Sequence, residues 1–119
     1  MALIRAKRLA DVKHCLAIDF QDAAEDRFGV RSIEADKAAD ACEEAGSYVN
    51  EIDWRLATTP PTTLAGVVAV LRLANLIEDE GNEWPMTDTI GPEGWRYQLR
   101  QSMAQAIETI IRQTGEVAA

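Results

Sequence analysis

Residues 62–77, TTLAGVVAVLRLANLI, constrain the fold of this chain more than any other stretch. They contain one charge, Arg72, and one further strongly polar side chain, Asn75. Apolar residues therefore cover more than one face of a helix with about 3.6 residues per turn, and such a helix needs neighbours on several sides. We expect a central buried helix, with Arg72 and Asn75 at its solvent-exposed edge.

Two long helices are predicted before this stretch. The first, residues 3–28, carries its apolar side chains on one stripe: Leu9, Val12, Leu16, Phe20, Ala23, Ala24 and Phe28. The second, residues 32–57, begins at Ser32, which is a favoured N-cap residue. Its apolar positions step regularly by three and four: Ala35, Ala38, Cys42, Ala45, Val49, Ile52 and Leu56. A short turn at residues 29–31 should join the two helices as an antiparallel hairpin.

Pro60 and Pro61 mark the end of the hairpin, because proline has no amide donor and disfavours a helical conformation in the residue before it. A third helix is expected at residues 63–80 and a fourth at residues 92–114, where proline and glycine stand at the helix ends that favour them. The predicted architecture is all-α: a single four-helix, bundle-like domain of residues 1–119, built on the long N-terminal hairpin.

The loop at residues 81–91 contains Trp84 and follows an acidic run at residues 78–80. Two interpretations of Trp84 are open. Its ring closes one end of the bundle, or it anchors a protein partner that the sequence does not identify. We therefore take Trp84, Arg72 and Asn75 as the candidate interaction residues.

The charge of the chain limits its partners. A net charge of −8 and a pI of about 4.6 disfavour nucleic acid as the main ligand, since neutralising phosphates requires clustered Lys and Arg. Residues 1–18 carry four basic side chains and one acidic one, whereas residues 19–53 carry eleven acidic and three basic ones. Charged residues interrupt any signal-peptide segment, and no apolar run reaches the about 20 residues that span a bilayer. We expect a cytoplasmic protein without a membrane-spanning segment.

Few residues offer catalytic chemistry. His14 is the only histidine, and its neighbour Cys15 points about 100° away on a helix, so the two do not form a nucleophile–base pair. Cys42 lies in no Cys/His cluster, which disfavours zinc. We therefore predict no catalytic, cofactor-binding or metal site. One alternative stays open, a metal-dependent enzyme that uses carboxylates at helical spacing: Asp22, Glu25, Asp26, Asp36, Asp40, Glu43, Glu44 and the acids of residues 78–83.

The stretch TTPPTTLAGVVAVLRLA, residues 58–74, resembles a segment of small uncharacterised helical proteins found in alphaproteobacterial genomes. Those proteins carry a similar Pro-Thr-Thr-x-Ala-Gly segment after a long acidic, alanine-rich hairpin. The resemblance covers mainly the central third of the chain. It implies a small cytoplasmic helical protein associated with mobile or accessory genes, and it implies no activity, cofactor or catalytic residue.

The predicted helix lengths differ, and this difference suggests a function. Helices of about 25 residues are about 38 Å long, whereas the third helix is about 25 Å long, so part of the hairpin stripe would stay exposed in a monomer. A twofold dimer would cover it. We expect a non-enzymatic interaction or regulatory module that works as a homodimer. The alternatives are the metal-dependent enzyme and a nucleic-acid-linked factor that uses the basic N-terminus.

Overall fold

A computed structural model describes residues 2–81, 85 and 89–115, and these residues form four α-helices. They are α1 (Ala2–Phe28), α2 (Ile33–Thr58), α3 (Leu64–Asp79) and α4 (Trp95–Gln113). α1 packs against α2 as a hairpin, and α4 packs onto α2 and α3. The predicted all-α, bundle-like architecture is confirmed.

The helices belong to two compact units whose boundary falls inside α2, between Ile52 and Asp53. One unit contains α1 and most of α2. The other contains the end of α2 together with α3 and α4. The single domain of residues 1–119 stays a prediction.

The helix starts follow from local capping chemistry. The Ser32 hydroxyl accepts a hydrogen bond of 3.0 Å from the Ala35 amide, and Thr63 accepts one of 3.0 Å from the Gly66 amide. Both side chains satisfy amides that have no partner inside the helix. The predicted starts of α2 and α3 are confirmed.

The fourth helix begins at Trp95, three residues after the predicted start. Residues 91–94 form a turn closed by a 2.8 Å hydrogen bond from the Gly94 amide to the Gly91 carbonyl. A Cβ atom on Gly94 would lie 1.8 Å from the Thr89 carbonyl oxygen, so only glycine fits there.

The face that α1 turns toward α2 consists of small and polar residues. They are buried or half-buried and recur at steps of four and three: Ala10, His14, Ala17, Gln21 and Ala24. The predicted apolar positions of α2 are likewise buried or half-buried throughout. At the contact itself, the Gly46 backbone lies against the His14 ring. Small residues on both helices allow this close packing.

The predicted packing stripe of α1 is therefore wrong. Of its seven residues only Ala24 is buried, while Leu9, Val12, Leu16 and Phe20 are exposed. The physical reason is that α1 has two stripes at helical spacing. The α2 positions that meet α1 are mostly alanine, and the small stripe of α1 brings the two backbones closer than large side chains would.

The Gly46 contact gives a prediction on stability. An added Cβ would lie 3.1 Å from His14 Nε2, which is tighter than ordinary packing. Gly46→Ala gains about 1 kcal/mol of helix propensity but compresses this contact. We therefore expect the free energy of unfolding to change by close to zero. In a His14→Ala background the same substitution should stabilise the protein by about 1 kcal/mol. Urea unfolding of the four variants measures this coupling, and equal effects in both backgrounds would contradict it.

The unit that starts at Asp53 is held by two buried hydrogen bonds from α4 to the last turns of α2. The Trp95 indole N–H donates to the Asp53 carbonyl at 2.6 Å, and the Ser102 hydroxyl donates to the Ala57 carbonyl at 2.5 Å. In a continuing helix the Ala57 carbonyl would accept from the amide four residues later, but Pro61 has no amide hydrogen. Ser102 therefore supplies the donor that the proline removes.

α3 buries one face only. Gly66, Val67, Val70 and Leu73 are buried, whereas large apolar residues of the opposite side are exposed: Leu64, Val68, Leu71 and Leu76. The prediction of a helix covered on several faces is wrong. With 16 residues, α3 lies at the edge of its unit, where the contact with α4 covers a single stripe.

Candidate interaction surface

Four large apolar side chains form an exposed surface on α1. Leu9, Val12, Leu16 and Phe20 are 56%, 55%, 62% and 67% exposed. At about 100° per residue they fall within about 80° of arc, roughly 120° around the helix from the face that meets α2. We call these four residues the α1 apolar face. Isolated exposed leucines are ordinary, but a contiguous apolar face of this size indicates a binding surface.

Charged side chains flank the α1 apolar face unevenly along the helix. Near the N-terminus the exposed charges are basic: Arg5, Arg8 and Lys13. Beyond Leu16 the exposed charges are mainly acidic: Asp19, Asp22 and Asp26, with Arg27 at the end. Lys7 is buried and its ammonium group lies 2.8 Å from the partly exposed carboxylate of Asp11, so the two charges offset each other. The surface is therefore basic at one end and acidic at the other.

An open groove lies between α1 and α2 beside the α1 apolar face. Ala10 and Lys13 form its α1 wall, and Ala45 and Tyr48 belong to its α2 wall. Glu44 also lines it. The groove is mostly apolar at its base, and its rim carries charges of both signs, which suits a large side chain from another molecule.

Two of the three predicted interaction residues can be placed. Arg72 and Asn75 are both exposed on α3. Asn75 shares a face with Leu64, Val68 and Leu71, and Arg72 lies beside that face. Trp84 lies outside the described residues. The structure thus places Asn75 on a second exposed apolar face, separate in sequence from that of α1, and Arg72 at the edge of that second face.

The residues weighed for catalysis do not converge. Within residues 2–81, 85 and 89–115, no three side chains among His, Cys, Asp and Glu are placed to share a metal ion. The acids of α2 considered above are exposed, as are those at the end of α3, where Glu78 pairs with Arg96 Nε at 3.4 Å. His14 packs on Gly46, Cys15 is exposed and Cys42 is half-buried. The metal-dependent enzyme stays an untested alternative.

The residues of the α1 apolar face stand out in the sequence, but their predicted contact with α2 is wrong. A signal for the right assignment was present. The spacing of residues 10, 14, 17, 21 and 24 on α1 matches the three-and-four spacing on α2, and small residues occupy the matching positions. If small residues at helical spacing are treated as packing positions in the same way as large apolar ones, the pattern predicts the α1–α2 contact. The large side chains of α1 are then left on the surface.

None of the helices in the described part of the chain combines the length and the apolarity that crossing a bilayer requires. A scan against models of protein families found no match to this chain, and searches of curated proteins and of solved structures found none either.

Proposed function

We propose that this protein is a cytoplasmic, non-enzymatic interaction module that works as a homodimer through the α1 apolar face. One observation carries the proposal: four large apolar side chains on one helix are each more than half exposed. In a chain that buries alanines along the neighbouring face, leaving the larger groups in water is unfavourable unless another molecule covers them. A self-complementary surface is the simplest cover, and twofold dimers are the commonest assembly.

The expected strength of the dimer follows from the exposed area. Covering a half-exposed side chain contributes about 1 kcal/mol, so the eight side chains of two subunits contribute on the order of 8 kcal/mol before the entropic cost of association. A dissociation constant in the micromolar range corresponds to about 8 kcal/mol of net binding free energy. The charged side chains that flank the α1 apolar face must therefore offset the entropic cost of association. A dimer of this strength would form or dissociate as the concentration of the protein changes, which suits a regulatory module.

Two valines of similar exposure give a matched test. Val12 on α1 is 55% exposed and Val68 on α3 is 48% exposed. Val12→Lys should raise the dissociation constant at least about tenfold, because it places a charge inside the interface. Val68→Lys should leave it unchanged. Sedimentation equilibrium over a micromolar concentration series measures both variants.

The same experiment can contradict the proposal in two ways. A wild-type protein that stays monomeric to high micromolar concentration would exclude the homodimer. Dissociation by Val68→Lys, with Val12→Lys still dimeric, would move the interface to the face of α3 that holds Asn75. Circular dichroism of each variant checks that its helices are retained.

A further inference from the structure

We infer that the two copies pair through α1 in antiparallel orientation, with the twofold axis at Leu16 and with Phe20 of each subunit over the groove of the other. This inference rests on the proposed homodimer and specifies its geometry. It is carried by two observations that are independent of the apolar face itself: the charge arrangement along α1 and the position of the groove.

The charge arrangement favours the antiparallel orientation. The exposed charges before Leu16 are basic, and most of those after it are acidic. A parallel pair would place like charges opposite each other at both ends of α1. An antiparallel pair places the basic half of one subunit against the acidic half of the other, which is favourable at both ends.

Individual charges also match in position. Arg8 and Asp26 lie on the same side of the α1 apolar face, about 80° from Leu16. Arg8 precedes Leu16 by eight residues and Asp26 follows it by ten. At about 1.5 Å per residue, the antiparallel pair brings Arg8 and Asp26 of the partner subunit to within about 3 Å along the axis. A twofold axis produces this pair twice.

The groove matches the side chain that the same arrangement brings to it. Phe20 follows Leu16 by four residues. Lys13 precedes Leu16 by three residues, and Ala10 precedes Leu16 by six. An antiparallel pair therefore sets Phe20 of the partner subunit level with the stretch between Lys13 and Ala10, which is the α1 wall of the groove. Phe20 also lies on the side of the face that points toward this groove. Its exposed ring would be covered there, near Tyr48.

Two basic side chains at the ends of α1 oppose the arrangement. Arg5 and Arg27 are each eleven residues from Leu16, so an antiparallel pair brings them level. The Arg27 guanidinium, however, lies over the ring of its own Phe28, 5.3 Å from the centroid. This contact holds Arg27 on its own chain, and solvent screens what repulsion remains.

Disulfide trapping tests the orientation. Leu9 and Ala23 are each seven residues from Leu16, so the antiparallel pair places them opposite each other. The background is the full-length chain with both native cysteines replaced, Cys15→Ala and Cys42→Ala. Leu9→Cys and Ala23→Cys are prepared as two separate proteins, one of which carries a tag that changes its size. Each protein is oxidised alone and in a mixture with the other. The mixed disulfide should exceed either homodimeric disulfide by about tenfold, since a disulfide requires close Cβ atoms. Disulfides formed by each variant alone would indicate a parallel pair and overturn the inference.

Charge reversal supplies a second measurement that needs no new cysteine. Arg8→Glu alone and Asp26→Arg alone should each raise the dissociation constant by about tenfold at low salt, because each turns two attractive pairs into repulsive ones. The double variant restores both pairs and should return close to the wild-type value. Glu43→Arg, at an exposed site on α2, makes the same charge change as Asp26→Arg and is the control for that variant; it should have little effect on the dissociation constant.

The outcomes separate this inference from the proposed function. A wild-type dimer whose double charge variant is no better than the single variants would overturn the antiparallel pairing and leave the homodimer standing. A wild-type monomer, with no disulfide above the denatured background, would overturn both.

Discussion

Lysine in place of Leu16 is expected to convert the proposed homodimer into monomers across the micromolar range. Leu16 is 62% exposed and lies at the centre of the α1 apolar face, where the inferred twofold axis would bring two copies of the new ammonium group together. Burying two like charges without partners is strongly unfavourable, so we expect the dissociation constant to rise by about 100-fold or more. Light scattering after size-exclusion chromatography measures the change.

Two controls accompany the Leu16 prediction. Leu71→Lys makes the same change on the exposed face of α3 and should leave the mass unchanged. Leu16→Met keeps an apolar side chain of similar volume and should remain dimeric. Because the Leu16 side chain is largely in solvent within one subunit, the circular dichroism spectrum of Leu16→Lys should match the wild type. Loss of helix signal in this variant would mean that Leu16 supports the fold of its own chain.

Removal of the Trp95 ring should be the most damaging single change to the unit that starts at Asp53. Trp95 is 2% exposed, and its indole N–H donates a 2.6 Å hydrogen bond to the Asp53 carbonyl. Trp95→Ala removes a buried aromatic side chain and leaves a cavity, which costs about 3–5 kcal/mol. Urea unfolding followed by circular dichroism measures the loss.

Trp95→Phe separates the packing of Trp95 from its hydrogen bond. Phenylalanine keeps much of the buried apolar surface and loses the indole donor, so a loss of about 1–2 kcal/mol is expected. If Trp95→Ala costs no more than Trp95→Phe, the ring does not provide the packing that its burial indicates. Neither variant changes the α1 apolar face, so both should still dimerise wherever they remain folded.

Much of the fold could be predicted from local sequence. Ser32 and Thr63 identify helix starts because capping depends on a side chain and an amide three residues away. The proline pair at residues 60 and 61 ends the hairpin for reasons of backbone chemistry alone. In each case the decisive interaction joins residues near in sequence.

The rest depends on contacts between residues far apart in the chain. The hydrogen bond from Ser102 to Ala57 joins positions 45 apart, and no local pattern marks Ser102 as its donor. Which of the two stripes of α1 packs on α2 depends on the size of the α2 side chains at the contact. The pattern on α1 alone does not decide it. The groove could not be predicted for the same reason, since Lys13 and Tyr48 come together only after the hairpin forms.

The position of the unit boundary inside α2 has a consequence for how the protein unfolds. Ile52 and Asp53 are consecutive residues of one continuous helix, and helix nucleation is costly whereas extension of an existing helix is not. When the last turns of α2 unfold locally, the residues just before them lose the helical residues that follow them in the chain. Amide protons on the two sides of residue 52 should exchange with solvent in concert. Because the boundary falls inside α2, the two units cannot be cut apart there without shortening a helix.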